Sequence, residues 1–170
     1  MRQQVITGAS ASGAQLIEGS LRFDKDEEQY LTRTPSGAGS QTLYTWSVWV
    51  KRERLGDEGT ADVNHNPVFC AGTSSSASTD FRFQNNGSSN ADEFWWINWD
   101  GGSTYFSLES FPRYRDVAGW YHIVCNYNGT TAYVYINGTL VTSYNTETQN
   151  GGTSKINSTS AHSIGCFGQG

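Results

Sequence analysis

Aromatic side chains offer the best binding chemistry in this sequence, and they crowd into residues 94–99, Phe-Trp-Trp-Ile-Asn-Trp. Side chains alternate along a strand, so Trp95 and Trp99 share one face with Ile97, while Trp96 shares the other with Phe94 and Asn98. Tyr105 is expected on the next strand. An indole beside Asn and Asp suits a sugar ring, its flat body against the C–H face and the polar neighbours on the hydroxyls. Trp95, Trp96, Trp99 and Tyr105 are therefore the glycan-binding candidates, although the same aromatics are what a β-sandwich core or a subunit interface is built from. Asp80, Asn85, Asn86, Asn90 and Asp92 supply hard oxygen ligands of the kind Ca²⁺ takes, with Asp80, Asn86 and Asp92 the leading candidates. They lack a recognisable loop spacing.

Catalytic chemistry is poorly provided for. Glycoside hydrolysis wants two carboxyl groups roughly 5 Å apart on one face. Glu27-Glu28 and Asp92-Glu93 are adjacent pairs, whose side chains point to opposite faces of a strand or sit in turns, and they are expected to be solvated turn charges. His65, His122 and His162 have no nucleophile elbow beside them. No catalytic residue is assigned, and a non-enzymatic protein is expected. Cys70, Cys125 and Cys166 are odd in number, far apart and in apolar contexts, which implies buried thiols rather than a disulfide framework.

The 170 residues suffice for one domain with a real core. A net charge of -5 supplies no basic stripe for nucleic acid. No apolar run approaches the ~18 residues of a membrane span, and residues 1–19 lack a signal-peptide apolar run, so synthesis in a cytoplasm is expected.

The elements that would position these residues are strands. Residues 120–144 read as a three-stranded meander joined by Asn128-Gly129 and Asn137-Gly138, pairs that suit two-residue type I′ turns. Its expected inward set is Tyr121, Ile123, Cys125 and Tyr127, with Ala132, Val134 and Ile136 on the middle strand. Residues 43–51 form the strongest single strand, with Tyr44, Trp46, Val48 and Val50 on one face, and are expected mid-sheet. Further strands are expected at 20–23, 29–33, 67–71, 80–84, 93–99, 104–108 and 163–168. Ser-rich 72–79 and polar 145–160 read as loops, and 111–116 as an irregular crossing. Four N-x-Ser/Thr sequons, at Asn86, Asn128, Asn137 and Asn157, are accounted for by turns, three of them being Asn-Gly. Some ten to twelve short strands indicate an all-β antiparallel sandwich of the jelly-roll kind.

Residues 20–52 carry Ser20-Leu21-Arg22-Phe23, Tyr30-Leu31-x-Arg33-Thr34-Pro35 and Trp46-Ser47-x-Trp49-Val50-Lys51-Arg52. Gly119-Trp120-Tyr121-His122-Ile123-Val124 and Val134-Tyr135-Ile136-Asn137-Gly138 follow later. Together these resemble laminin G-like, concanavalin A-like jelly-roll domains, in the variety found in virion proteins of tailed bacteriophages, marine phages especially. The resemblance spans most of residues 20–168 and divides the chain into an N-terminal arm, 1–19, and a jelly-roll domain, 20–170. It implies a structural component of the virion surface, a decoration, knob or fibre, with a homo-oligomer (a trimer as first guess) and other virion proteins held through the arm. The alternative is an adhesive lectin for host polysaccharide, with Ca²⁺ nearby as in many relatives. Glycan hydrolases of this fold carry Glu-x-Asp-x-(x)-Glu, which is absent here. The resemblance also implies a further strand pair beyond Gly170 that returns beside the N-terminal strand, from the same chain or a neighbour.

Overall fold

The computed structural model describes residues 19–23, 29–53, 55, 66–73, 77–84 and 90–166. Residues 1–18 of the expected arm, Glu27-Glu28, His65, Asn85 and Asn86 lie outside them. Among the described residues there is no helix, and eleven strands form two antiparallel sheets. They are β1 (Leu31–Arg33), β2 (Tyr44–Val50), β3 (Asn66–Thr73), β4 (Ala77–Phe83), β5 (Glu93–Asp100), β6 (Ser103–Arg113), β7 (Tyr121–Tyr127), β8 (Ala132–Ile136), β9 (Thr139–Leu140), β10 (Tyr144–Gln149) and β11 (His162–Ile164). The large sheet has the order β1-β11-β3-β4-β5-β6-β10 and the small sheet β2-β7-β8-β9. The chain is an all-β sandwich of the concanavalin A-like jelly-roll kind.

Period-two patterning sorts the faces as expected. Tyr121, Ile123, Cys125 and Tyr127 alternate as buried positions with half-buried ones along β7, and Ala132, Val134 and Ile136 are buried on β8. Across the interior the large sheet contributes Phe81, Phe83, Phe94, Trp96, Phe106 and Leu108. Trp46 of β2 stacks on Phe81 at 4.2 Å between ring centroids, and Phe81 stacks on Trp96 at 5.3 Å, so three aromatics join the sheets. Such pairs add about 0.5–1.5 kcal/mol each beyond the area they bury.

Several local expectations are corrected. Among the described residues the strand 43–51 is an edge strand of the small sheet, because alternation reports which faces are covered and not how many neighbours a strand has. At Asn137-Gly138 both residues have positive φ, 52° and 80°, as a type I′ turn requires. At Asn128 the side chain instead accepts hydrogen bonds from the amides of Thr130 and Thr131, making a longer Asx-stabilised loop. The meander is cut short after Leu140, and the polar segment at 144–149 crosses to the large sheet as β10, pairing with β6. β6 runs on through the expected crossing to Arg113, and β3 and β4 extend to Thr73 and back to Ala77. Residues 20–23 are described without a strand. β11 pairs with β1 and β3.

Asp92, expected in a solvated turn or on Ca²⁺, is fully buried, with φ 71°. Its Oδ1 lies 2.7 Å from Arg52 Nη2 and its Oδ2 2.8 Å from Arg115 Nε. Arg52, itself 5 % exposed, lies over the Phe83 ring at 4.4 Å and donates to the Tyr114 carbonyl at 2.6 Å. Removing the carboxylate leaves a buried guanidinium uncompensated, a loss of about 3–5 kcal/mol. Asp92→Ala should therefore shift the urea midpoint strongly, whereas Arg22→Ala, which breaks an ion pair exposed on both sides, should leave it in place.

Candidate functional site

The outer face of the large sheet is unusual in being polar and yet largely buried. On β4 the core residues Phe81 and Phe83 alternate with Ser78, Asp80 and Arg82, and Gln84 follows just past its end, all at or below 9 % exposure. The register sets Asp80 beside Ile97 and Arg82 beside Trp95 on β5. On the far side of β5, Trp95 faces Glu109 and Ile97 faces Ser107 of β6. Thr146 and Thr148 of β10 continue the two rows.

Hydrogen bonds hold this layer in place. Gln84 Nε2 and Asn90 Nδ2 donate to Glu109 Oε1 at 2.7 and 3.2 Å, and Thr146 Oγ1 donates to Oε2 at 3.0 Å. Asn145 Nδ2 reaches both oxygens of Glu93, at 2.7 and 2.6 Å. Ser78 Oγ donates to Asp80 Oδ2 at 3.0 Å, and Arg82 Nη1 stands 3.9 Å from the same oxygen. Burial pushes the Arg82 guanidinium down to about 10, against the pull of Asp80 and Glu109. Burial likewise raises the Asp80 carboxyl, opposed by Cys70, Arg82 and Ser78, and raises that of Glu93, opposed by Asn145. Asp80 Oδ1 and Gln84 Oε1 are buried and meet no nitrogen or oxygen donor among the described residues.

Two half-buried indoles stand in this layer. Trp95 Nε1 donates to Ser107 Oγ at 2.7 Å, and the Arg82 guanidinium lies 4.0 Å from the Trp95 ring centroid, so the ring is fixed on two sides. Trp99 lies four residues along β5 on the same face, roughly 13 Å away at strand rise. The sequence pairing of Trp95 with Trp99 around Ile97 is thus realised. The other two glycan-binding candidates go elsewhere. Trp96, with no exposure, is a core residue. Tyr105 falls where the register between β5 and β6 slips, between Asn98↔Phe106 and Trp99↔Thr104, and it packs on the core instead. Gly152, at φ 115°, abuts that ring so closely that a Cβ would collide with it.

Of the proposed Ca²⁺ ligands, Asn85 and Asn86 lie outside the described residues, and Asp80 and Asp92 are not brought together. Asp92 spends both oxygens on arginines on the inner side, while Asp80 lies on the outer face beside Arg82. No cluster of three or more His, Cys, Asp or Glu suited to a metal occurs among the described residues. Residue-type patterns missed Asp80, Arg82 and Glu109 as one layer with Trp95. The signal was present in Asp-Phe-Arg-Phe at 80–83, where charged residues alternate with Phe, but pairing Glu109 with Trp95 required the register. Glu93, expected to be solvated, is 2 % exposed.

A family model described as the concanavalin A-like lectin/glucanases superfamily matches residues 25–167. The chain belongs to that superfamily. A search of curated proteins finds no match to it. A laminin G-like member of this superfamily fits a carbohydrate-binding module, and its outer sheet face carries two half-buried indoles, Trp95 and Trp99, above a polar layer. No helix among the described residues is long and apolar enough to cross a membrane.

A carboxyl that holds its proton more tightly folded than unfolded favours folding at low pH, and that advantage is lost as pH rises from the ordinary value of 3.8 through the raised one. The stability of the wild-type protein should therefore increase relative to Asp80→Asn as pH falls from neutrality towards 4, read from urea titrations. A constant difference would mean that Asp80 titrates normally.

Proposed function

We propose that this domain is a non-catalytic carbohydrate-binding module whose ligand lies along β5 on Trp95 and Trp99. The observation that carries the reading is the pair of half-buried indoles on one strand face, the first pinned by Ser107 and Arg82. Stacked sugars would shed water from the rings. A binding rather than hydrolytic role is supported by the carboxylates nearest Trp95. Each oxygen of Glu93 and of Glu109 already accepts a side-chain donor, which leaves neither poised as acid or nucleophile. Binding is proposed to need no calcium.

The setting we favour for such a module is the surface of a bacteriophage particle, made in a host cytoplasm, where it would grip host polysaccharide. Support comes from the motifs at residues 20–52 and from three cysteines that form no disulfide. Antibodies raised against this chain should label intact virions from its source, and unlabelled particles would discard the setting without touching the binding reading.

A glycan array tests the binding itself. Trp99→Ala and Trp95→Ala should each weaken the strongest glycan about tenfold, the scale of one lost aromatic stack, with the melting temperature of Trp99→Ala kept and chelator without effect. No glycan retained at any concentration, or hydrolysis of one, would overturn the proposal.

A further inference from the structure

The outer face of the small sheet is built on a different plan. Its rows, set by register, are Thr45–Asn126–Tyr133, Ser47–Val124–Tyr135–Leu140 and Trp49–His122. Trp49 is 54 % exposed, Leu140 39 % and Tyr133 38 %. Trp49 lies flat on His122 at 4.6 Å.

Two features of these rows select the occupant. The polar groups pair among themselves: Asn126 Nδ2 donates to Thr45 Oγ1 at 2.9 Å, and Ser47 Oγ and His122 Nε2 share a hydrogen bond of 3.0 Å. The face therefore has little to give a glycan hydroxyl, and what it offers is apolar ring and side-chain surface. The rows also contain no carboxylate, on a chain whose net charge is -5. Copies of an acidic chain repel, so an uncharged apolar face is where two of them can meet.

We infer that this face is a self-association surface, on which a second copy of the chain seats its own small sheet. The contact is isologous, with Trp49 and Tyr133 of each copy covering rings and Leu140 of the other. Four strands about 4.8 Å apart and seven residues of β2 give a patch of roughly 15 by 24 Å. This is smaller than the ~800 Å² per partner of a standard interface, so the dimer is weak and reversible.

Sedimentation velocity across the micromolar range tests it. The wild-type coefficient should rise with concentration, and Trp49→Ser and Tyr133→Glu should each raise the dissociation constant at least tenfold while glycan retention on the Trp95 face persists. Should Trp49→Ser lower the melting temperature, Tyr133→Glu decides, because it places like charges opposite one another. A wild-type protein that stays monomeric throughout overturns the inference, as does association that survives both substitutions, or a monomer whose polysaccharide binding is lost on Trp49→Ser.

Discussion

The stack of Trp46, Phe81 and Trp96 across the interior is the constraint from which the rest follows. It fixes which face of β5 points inward, and a strand allows only two choices, since a slip of one residue exchanges every side chain between faces. With Trp96 inside, Trp95, Ile97 and Trp99 must stand outside. Phe81 inside likewise places Asp80 and Arg82 outside. The composition of the binding layer is thus a by-product of packing three rings in the core, and any change that reversed the parity of β5 would remove core and site together.

Asp92 sets the other boundary. Its amide donates to the Gln84 carbonyl, its own carbonyl accepts from the Tyr114 amide, and its carboxylate meets Arg52 and Arg115. One residue thereby ties the ends of β2, β4 and β6 to the start of β5. A carboxylate and a guanidinium removed from water would be costly apart, and together they are tolerable because the geometry satisfies both. Positive φ at a non-glycine residue is uncommon but easier for Asp than for most, which fits a position where a turn and an ion pair are needed at once.

How much of this was legible in the sequence depended on the range of the interaction. Faces were legible: β7, β8 and the split of Trp95 and Trp99 from Trp96 follow from alternation alone. So were fold class and the Asn137-Gly138 turn, both local in origin. Neighbours were not. β2 has the strongest strand pattern and lies at an edge, while β10, Tyr-Asn-Thr-Glu-Thr-Gln, has almost no apolar signal and is a strand because it pairs with β6, its Asn145 and Thr146 held by Glu93 of β5 and Glu109 of β6. The same blindness hid the site's polar layer. Asp80, Glu93 and Glu109 are ordinary acidic residues until pairing sets them beside Arg82, Asn145 and Gln84. Tyr105 was misplaced by a one-residue irregularity that no periodicity announces.

The two sheets end in outer faces of different charge, and that difference has a geometric consequence. The large-sheet face carries Asp80, Arg82, Glu93 and Glu109, whereas the small-sheet rows hold no carboxylate and pair Thr45, Ser47, His122 and Asn126 internally. The faces lie on opposite sides of one sandwich, so contact between small sheets leaves the Trp95 faces of two copies pointing away from each other and both open. Single aromatic stacks bind weakly, but two sites held in one dimer would gain from effective concentration whenever a polymeric ligand can span or bridge them. A weak dimer is then enough to turn a weak sugar site into a firm attachment. Nothing in the binding layer need change for this to happen, because the gain comes from the uncharged surface behind it.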